Sequence, residues 1–330
     1  MAFATEALAR VIRQFPETSF ACAYGSAVMK QAGYNYYSKD PEKLPMVDFI
    51  FAVKDPYRWH EMNIAMNPHH YSFVKSFGIP FIVNLQDNGG GRIYYHTNIT
   101  VNDIRLKYGV ISEDALMSDL KHWNQLYVAG RLQKPVVILK EGSESVQMAL
   151  EANRMAALHA AIALLPPTFS TEDLYMTITS LSYSGDVRMQ LGAENPNKIR
   201  NIVVSSRGEF DDCYRSLIKH CSFIQPNGSS PDKDVSASAS ASAPGLSTLH
   251  EWEKIKQPEV WNFPRNIRQH LPNVSASEPI DPLHLRQSLR DIVAATSTAQ
   301  TFKGLLSAGV VNAVQIAWSK WQKGRTSLSQ

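Results

Sequence analysis

Tyr24-Gly25-Ser26, followed about two dozen residues later by Asp48, is the part of the 330-residue chain best equipped for chemistry. Asp48 lies inside the apolar run Met46-Val47-Asp48-Phe49-Ile50-Phe51-Ala52-Val53, which reads as a buried strand. A lone carboxylate there costs several kcal/mol unless a cation or hydrogen-bond donors satisfy it. Upstream, the small-residue turn reads as the start of a helix, whose first backbone N–H groups are unpaired and suit a phosphate. A phosphate cradle beside a carboxylate able to hold Mg²⁺ is the equipment of nucleotidyl transfer. The blander readings are an ordinary turn at Gly25-Ser26 and a buried partner for Asp48, which the local sequence does not supply.

The other candidates are weaker. Position 50, where many enzymes of this chemistry carry a second carboxylate, is Ile50, leaving Asp55, Asp103 and Asp186 as possible second metal ligands. Lys107-Tyr108 ends an alternating stretch that could bring Lys107 to the side lined by Asp48, where its ammonium would meet triphosphate oxygens. The alternative is an exposed surface lysine. Gly89-Gly90-Gly91 lacks the Lys-Ser/Thr of a phosphate loop and reads as a hairpin turn. His69-His70 has no partner at zinc spacing and reads as a surface or capping pair. The three cysteines, Cys22, Cys213 and Cys221, have no metal-ligand spacing, so a reducing compartment and no structural zinc are expected.

The elements that must position these groups follow from periodicity. Strands are expected at about 46–53, 79–85, 92–96, 99–111 and 135–139, with helices opening at Asp55-Pro56 and Ser112-Glu113-Asp114. This mixture implies an α/β domain with one central sheet over 1–143. Residues 144–225, with an alanine-rich helix to about 165 and helices after Thr171 and near 211–221, read as a smaller, mainly helical domain. The Ser-Ala-rich stretch 226–248 reads as a flexible linker. In the region 249–330, Phe302, Leu305, Leu306, Val310, Val314, Ala317, Trp318 and Trp321 fall on one stripe of an amphipathic helix at about 298–323. That stripe suits either packing on the protein or an interfacial helix on an anionic membrane.

A formal net charge of +3 and pI of about 8.6 suit an anionic substrate or membrane surface, and no basic stripe points to nucleic acid. No run of 18 apolar residues occurs, so no span of a bilayer is expected. Arg10 and Arg13 lie on an amphipathic stretch, but Glu6 and the missing apolar core leave little targeting signal.

Taken in order, several longer segments carry a resemblance: Tyr24-Gly25-Ser26-Ala27-Val28, Asp48-Phe49-Ile50-Phe51 through Asp55-Pro56-Tyr57-Arg58-Trp59-His60, Asn67-Pro68-His69-His70-Tyr71-Ser72, and Lys107-Tyr108-Gly109-Val110-Ile111. Leu126-Tyr127-Val128-Ala129-Gly130-Arg131-Leu132-Gln133-Lys134-Pro135 and Leu181-Ser182-Tyr183-Ser184-Gly185-Asp186-Val187-Arg188-Met189 complete it. Over roughly 20–220 the chain resembles the mitochondrial phosphatidate cytidylyltransferases, with Ala27 where that family usually has Gly. The resemblance implies a nucleotidyltransferase fold followed by a winged-helix-like domain. It implies Mg²⁺-dependent synthesis of CDP-diacylglycerol, a cardiolipin precursor, from CTP and phosphatidic acid. It also implies peripheral attachment to the matrix side of the mitochondrial inner membrane.

On that reading Asp48 holds the metal and Tyr24, Gly25 and Ser26 meet the β- and γ-phosphates. Lys107 and Lys134 neutralise charge, Tyr108 lines the nucleotide site, and Asp186 and Arg188 close over the nucleotide or lipid phosphate. Two rival readings are an RNA-directed nucleotidyltransferase and a non-catalytic assembly factor for membrane translocases.

Overall fold

The computed structural model describes residues 5–29, 46–190, 195–226, 245–248, 263–270 and 281–308. In chain order the first half contains α1 (Thr5–Ile12), β1 (Phe20–Tyr24), β2 (Val47–Val53), α2 (Pro56–Met66), α3 (Ile79–Asp87), β3 (Ile93–Val101), β4 (Ile104–Ser112), α4 (Glu113–His122), α5 (Val128–Leu132) and β5 (Val137–Lys140). Then come α6 (Glu144–Leu164), β6 (Thr168–Ser170), α7 (Thr171–Leu181), α8 (Val187–Gln190), α9 (Lys198–Ser205), α10 (Arg207–His220), β7 (Ile224–Pro226), β8 (Gly245–Thr248), α11 (Arg265–His270) and α12 (Pro282–Ala308).

Five strands form one mixed sheet in the order β3-β4-β2-β1-β5, with β2 and β4 parallel and the other pairs antiparallel. Both faces are covered. Val47, Phe49, Phe51 and Val53 point into one core with Leu106, Tyr108 and Val110. Ile50 and Ala52 point into the other with Phe20, Cys22 and Ile111. This explains why β2 is almost wholly apolar. The second core is continuous with Leu158 and Ile162 of α6, Tyr175 of α7, Tyr214 of α10 and Leu289 of α12.

Several expectations are corrected. Residues 79–85 form helix α3, because Pro80 sits in its first turn and the residue four beyond Ile82, Gln86, is the other buried position. A short apolar run does not separate helix from strand, and the proline is the deciding signal. The break between β3 and β4 falls at Asn102-Asp103, both with positive φ as a two-residue hairpin turn requires, and not at 97–98. There the sheet only shifts register, with Asn98 at φ 59°. Central strand β1, Phe-Ala-Cys-Ala-Tyr, was not anticipated, since its alanines carry little strand preference.

The glycines 89–91 connect α3 to β3 and do not make a hairpin. A side chain at Gly90 would collide with Gln300 of α12, and the Gly91 N–H donates to Gln300 Oε1 at 2.9 Å. Within the expected linker, β8 is a strand: it joins β6 and β7 in a three-stranded antiparallel sheet, and residues 227–244 lie outside the described region. The terminal helix starts at Pro282 rather than near 298. Phe302 is exposed on it, and the rest of the expected stripe, Trp318 and Trp321 included, lies outside the residues whose side chains are described.

Beneath α2 and α3 sits a buried polar network. His60 pairs through Nδ1 with the Tyr71 hydroxyl (2.7 Å) and through Nε2 with Gln86 Oε1 (3.0 Å). Asn63 Nδ2 donates to both the Tyr71 and Tyr108 hydroxyls, and His70 Nδ1 pairs with Tyr108 at 2.9 Å. His70 is therefore an interior residue and not a surface or capping one; only His69 is exposed.

Burial lowers His60 and His70 from 6.5 to about 4, with His69 adding to the shift at His70. Because the folded values lie below the unfolded one, stability is complete above pH 6.5 and is lost as pH falls toward 4. Thermal melts across that window should show a steep drop in Tm. A flat profile would show that these histidines are not held neutral.

Candidate active site

Three strands deliver the first three groups. Tyr24 of β1 pairs with Asp48 of β2, and Asp48 pairs with Lys107 of the parallel β4. Neighbouring strands are about 4.8 Å apart and paired residues point to the same face, so these side chains stand in a row. They occupy the polar end of the face that buries Ile50. Lys107 Nζ lies 3.9 Å from Asp48 Oδ1 and 4.1 Å from the centroid of the Tyr95 ring. Both charged side chains are about a quarter exposed, at 25% and 26%. The ammonium is thus held by a carboxylate and a ring face while staying open to solvent.

Gly25 follows the row at φ 86°, and a methyl at its Cα would sit 3.0 Å from Asp48 Oδ2. Only glycine combines that backbone with so close an approach. The chain then makes one turn, with the Val28 and Met29 N–H groups donating to Gly25 O (3.1 and 2.9 Å), rather than the expected helix through the described residues to Met29.

A second layer comes from α5. Asp119, buried in α4, accepts five backbone N–H groups from Gln125, Leu126, Tyr127, Val128 and Ala129 at 2.8–3.2 Å. Burial pushes its carboxyl above the usual range, and those N–H groups pull the other way. Asp119 therefore fixes the approach to α5 and so sets the position of Tyr127 and Arg131. The Arg131 guanidinium stacks 3.8 Å from the Tyr127 ring and 5.8 Å from that of Tyr24. Burial works to raise the Tyr127 phenol, but Arg131, Lys107 and Arg188 together outweigh it and hold it below its ordinary value.

The remaining cations come from the segment just after α5 and from the helical region. Lys134 donates to Ser182 Oγ at 2.9 Å and to Gly130 O. Lys134 and Lys198 lie 5.3 and 5.5 Å from the Tyr183 ring. Burial, then Arg131 and Lys198, drives the Lys134 ammonium well below its ordinary range. Asp186, nearly enclosed, takes a two-pronged contact from Arg188 (Nη2 2.6 Å, Nε 3.0 Å). Burial raises the Asp186 carboxyl, yet Arg188 and Arg131 hold it below the usual range.

The structure therefore brings together Tyr24, Gly25, Asp48, Lys107, Lys134, Asp186 and Arg188, with Ser26 in the turn beside Asp48. It does not bring in Tyr108, which is fully buried on the opposite face, hydrogen-bonded to Asn63 and His70. Adjacent strand residues alternate faces, so Tyr108 cannot share the side of Lys107.

Arg131, Tyr127, Tyr95, Lys198 and Asp119 received no role from sequence. The spacing of Tyr127 and Arg131, four apart in a helix, was the available signal for that pair. Of the possible second metal ligands, Asp55 caps α2 by accepting from the Arg58 N–H, Asp103 lies in the β3–β4 turn, and Asp186 is engaged by Arg188. Among the described residues no group of three His, Cys, Asp or Glu side chains could hold a metal.

A mixed sheet carrying a carboxylate beside a glycine turn, under a surplus of cations, defines a nucleotidyltransferase-type α/β enzyme. The family described as "Phosphatidate cytidylyltransferase, mitochondrial" matches residues 8–323. A protein of that name from Schizosaccharomyces pombe is 36% identical over 341 residues, covering 98% of this chain and 84% of the relative. Those from Xenopus laevis and Danio rerio are each 37% identical, covering 97% and 95% of this chain and 94% and 93% of the relatives. The chain belongs to the mitochondrial phosphatidate cytidylyltransferase family.

Gly25→Ala should strain the turn and press on Asp48, lowering stability by about 1–3 kcal/mol and weakening CTP binding. Thermal melts and calorimetric titration with CTP check this. Wild-type affinity in that variant would separate the turn from the site.

Proposed function

We propose that this chain transfers the cytidylyl group of CTP to phosphatidic acid, forming CDP-diacylglycerol and pyrophosphate. A phosphate oxygen of the lipid attacks the α-phosphorus, and the bond from that phosphorus to the bridging oxygen of pyrophosphate breaks. A phosphomonoester has a second pKa of about 6 and arrives largely ionised, so no strong base is required. The barrier lies in holding two polyanions together, which makes alignment and charge neutralisation the main task.

The observation that carries this reading is the in-register row of Tyr24, Asp48 and Lys107 beneath Arg131, Lys134, Arg188 and Lys198. Asp48 and Asp186 stand against these five cations, so the cluster carries excess positive charge for a triphosphate and a lipid phosphate. Lys107 and Arg131 would face the transferring phosphoryl oxygens. The Tyr24–Ser26 turn would receive the β- and γ-phosphates. Arg188, held by Asp186 and near enough for its charge to act on Tyr127, would meet the lipid phosphate or pyrophosphate.

Mg²⁺ commonly binds through one or two carboxylates with substrate phosphates and water completing its shell. Asp48 alone, partly open to solvent and beside the turn, fits that mode and would hold the ion. When bound, Mg²⁺ would spread positive charge along the triphosphate. The relatives' mitochondrial names support a mitochondrial setting, and we place the enzyme at the matrix side of the inner membrane, supplying cardiolipin synthesis. No helix among the described residues is long and apolar enough to cross a bilayer, which supports peripheral attachment.

Radiolabelled CTP and phosphatidate, with and without Mg²⁺, test the activity. Asp48→Asn should lower CDP-diacylglycerol formation by at least about 10²-fold with an unchanged circular dichroism spectrum. Turnover near wild type would remove Asp48 from the mechanism.

A further inference from the structure

Lys134 lies between α5 and β5 at the edge of the cation cluster, and its surroundings suit an amine without charge. Its Nζ donates to Ser182 Oγ at 2.9 Å and to Gly130 O. The Ser182 hydroxyl itself donates to Gly130 O at 3.4 Å, which leaves its oxygen to serve Lys134 as an acceptor. An ammonium has three N–H donors and a neutral amine two. The two acceptors therefore satisfy the neutral form, and a third N–H has no acceptor among the described residues. The cradle is rigid, since a side chain at Gly130 of α5 would collide with Ser182 at the end of α7.

The nearby charges point the same way. Asp48 stands 3.9 Å from Lys107, and Asp186 is gripped by Arg188 at 2.6 Å. Among the described residues no carboxylate pairs with Lys134. The groups that act on it are Arg131 of α5 and Lys198 of α9, both cations. The Tyr183 ring lies 5.3 Å from Lys134 and 5.5 Å from Lys198. Like charges in a half-buried site disfavour another ammonium, and burial, Arg131 and Lys198 together hold the Lys134 amine well below its ordinary range. A triphosphate reverses the balance. It brings an acceptor for the third N–H and negative charge for Arg131, Lys134 and Lys198 together.

We propose that Lys134 is an uncharged amine in the empty site and takes a proton as the nucleotide's phosphates bind. The lone pair of Nζ receives that proton from solvent, and the proton returns there when pyrophosphate leaves. CTP affinity then falls as pH rises between the ionisation points of the empty and the filled site. The inference deepens the cytidylyltransferase reading and rests on it for the identity of the polyanion.

Calorimetric titration of the full chain with CTP and Mg²⁺, in two buffers of different ionisation enthalpy, counts the protons exchanged. At about pH 8 the terminal phosphate, with a second pKa of about 6, is already ionised, so any uptake belongs to the protein. Wild type should take up close to one proton per CTP, with affinity falling by up to about tenfold per pH unit above that point. Lys134→Arg keeps its charge at any working pH, so it should bind CTP with no uptake and no such fall. Tyr127, whose phenol Arg131, Lys107 and Arg188 hold below its ordinary value, is the other group able to take a proton. Tyr127→Phe should retain the uptake. Equal heats in both buffers for wild type would overturn the proposal, as would uptake that survives in Lys134→Arg or vanishes in Tyr127→Phe.

If wild type binds no CTP, the cytidylyltransferase reading fails, and Lys134 is followed in the free protein by nitrogen-15 lysine NMR. Its Nζ signal, identified by its absence from Lys134→Met, should titrate well below the exposed lysines. Titration together with them would overturn the proposal.

Discussion

The site is built on an imbalance of charge held in place by backbone. Lys107 is kept 3.9 Å from Asp48 because two parallel strands pair those residues in register, and no side-chain flexibility is needed to find that arrangement. Arg131, Lys134, Arg188 and Lys198 are gathered around the same region, and the cost of that crowding falls on Lys134. Lys134, driven well below its ordinary range by burial and by its cationic neighbours, shows the strain most directly. A protein tolerates such crowding where a polyanionic ligand relieves it.

Much of the remaining structure maintains this imbalance. Asp119 accepts five backbone donors to hold the start of α5, which places Arg131 over Tyr127. The loop before α8 is fixed from behind by α12, where Gly185 at φ 76° abuts Arg290 and the Val187 N–H donates to Ser297 Oγ at 3.3 Å. That contact sets Asp186 and Arg188. The tyrosines Tyr24, Tyr95 and Tyr127 line the cations with ring faces.

What could be read from sequence divides along physical lines. Asp48 was legible because a carboxylate in an apolar strand needs a reason, and Lys107 because strand alternation places it. The face of Tyr108 was decidable by the same alternation, yet its place in a long matching segment outweighed it. Arg131 and Asp119 were not legible, since their importance comes from contacts across distant segments that no local period encodes. Strand β1 and helix α3 were missed or reversed because short apolar runs carry no period long enough to decide, and only Pro80 in the second case pointed to the answer. The glycines at 89–91 looked like a turn. Their real constraint is the approach of Gln300 from more than two hundred residues away.

The central claim is that the row of Tyr24, Asp48 and Lys107, roofed by Arg131, receives the nucleotide's phosphates. A crystal structure of the protein with CTP and Mg²⁺ measures this directly. The account predicts triphosphate density between the Gly25 turn and the Lys107 and Arg131 side chains, with the ion on Asp48. A triphosphate bound elsewhere, with these side chains unengaged, would contradict it.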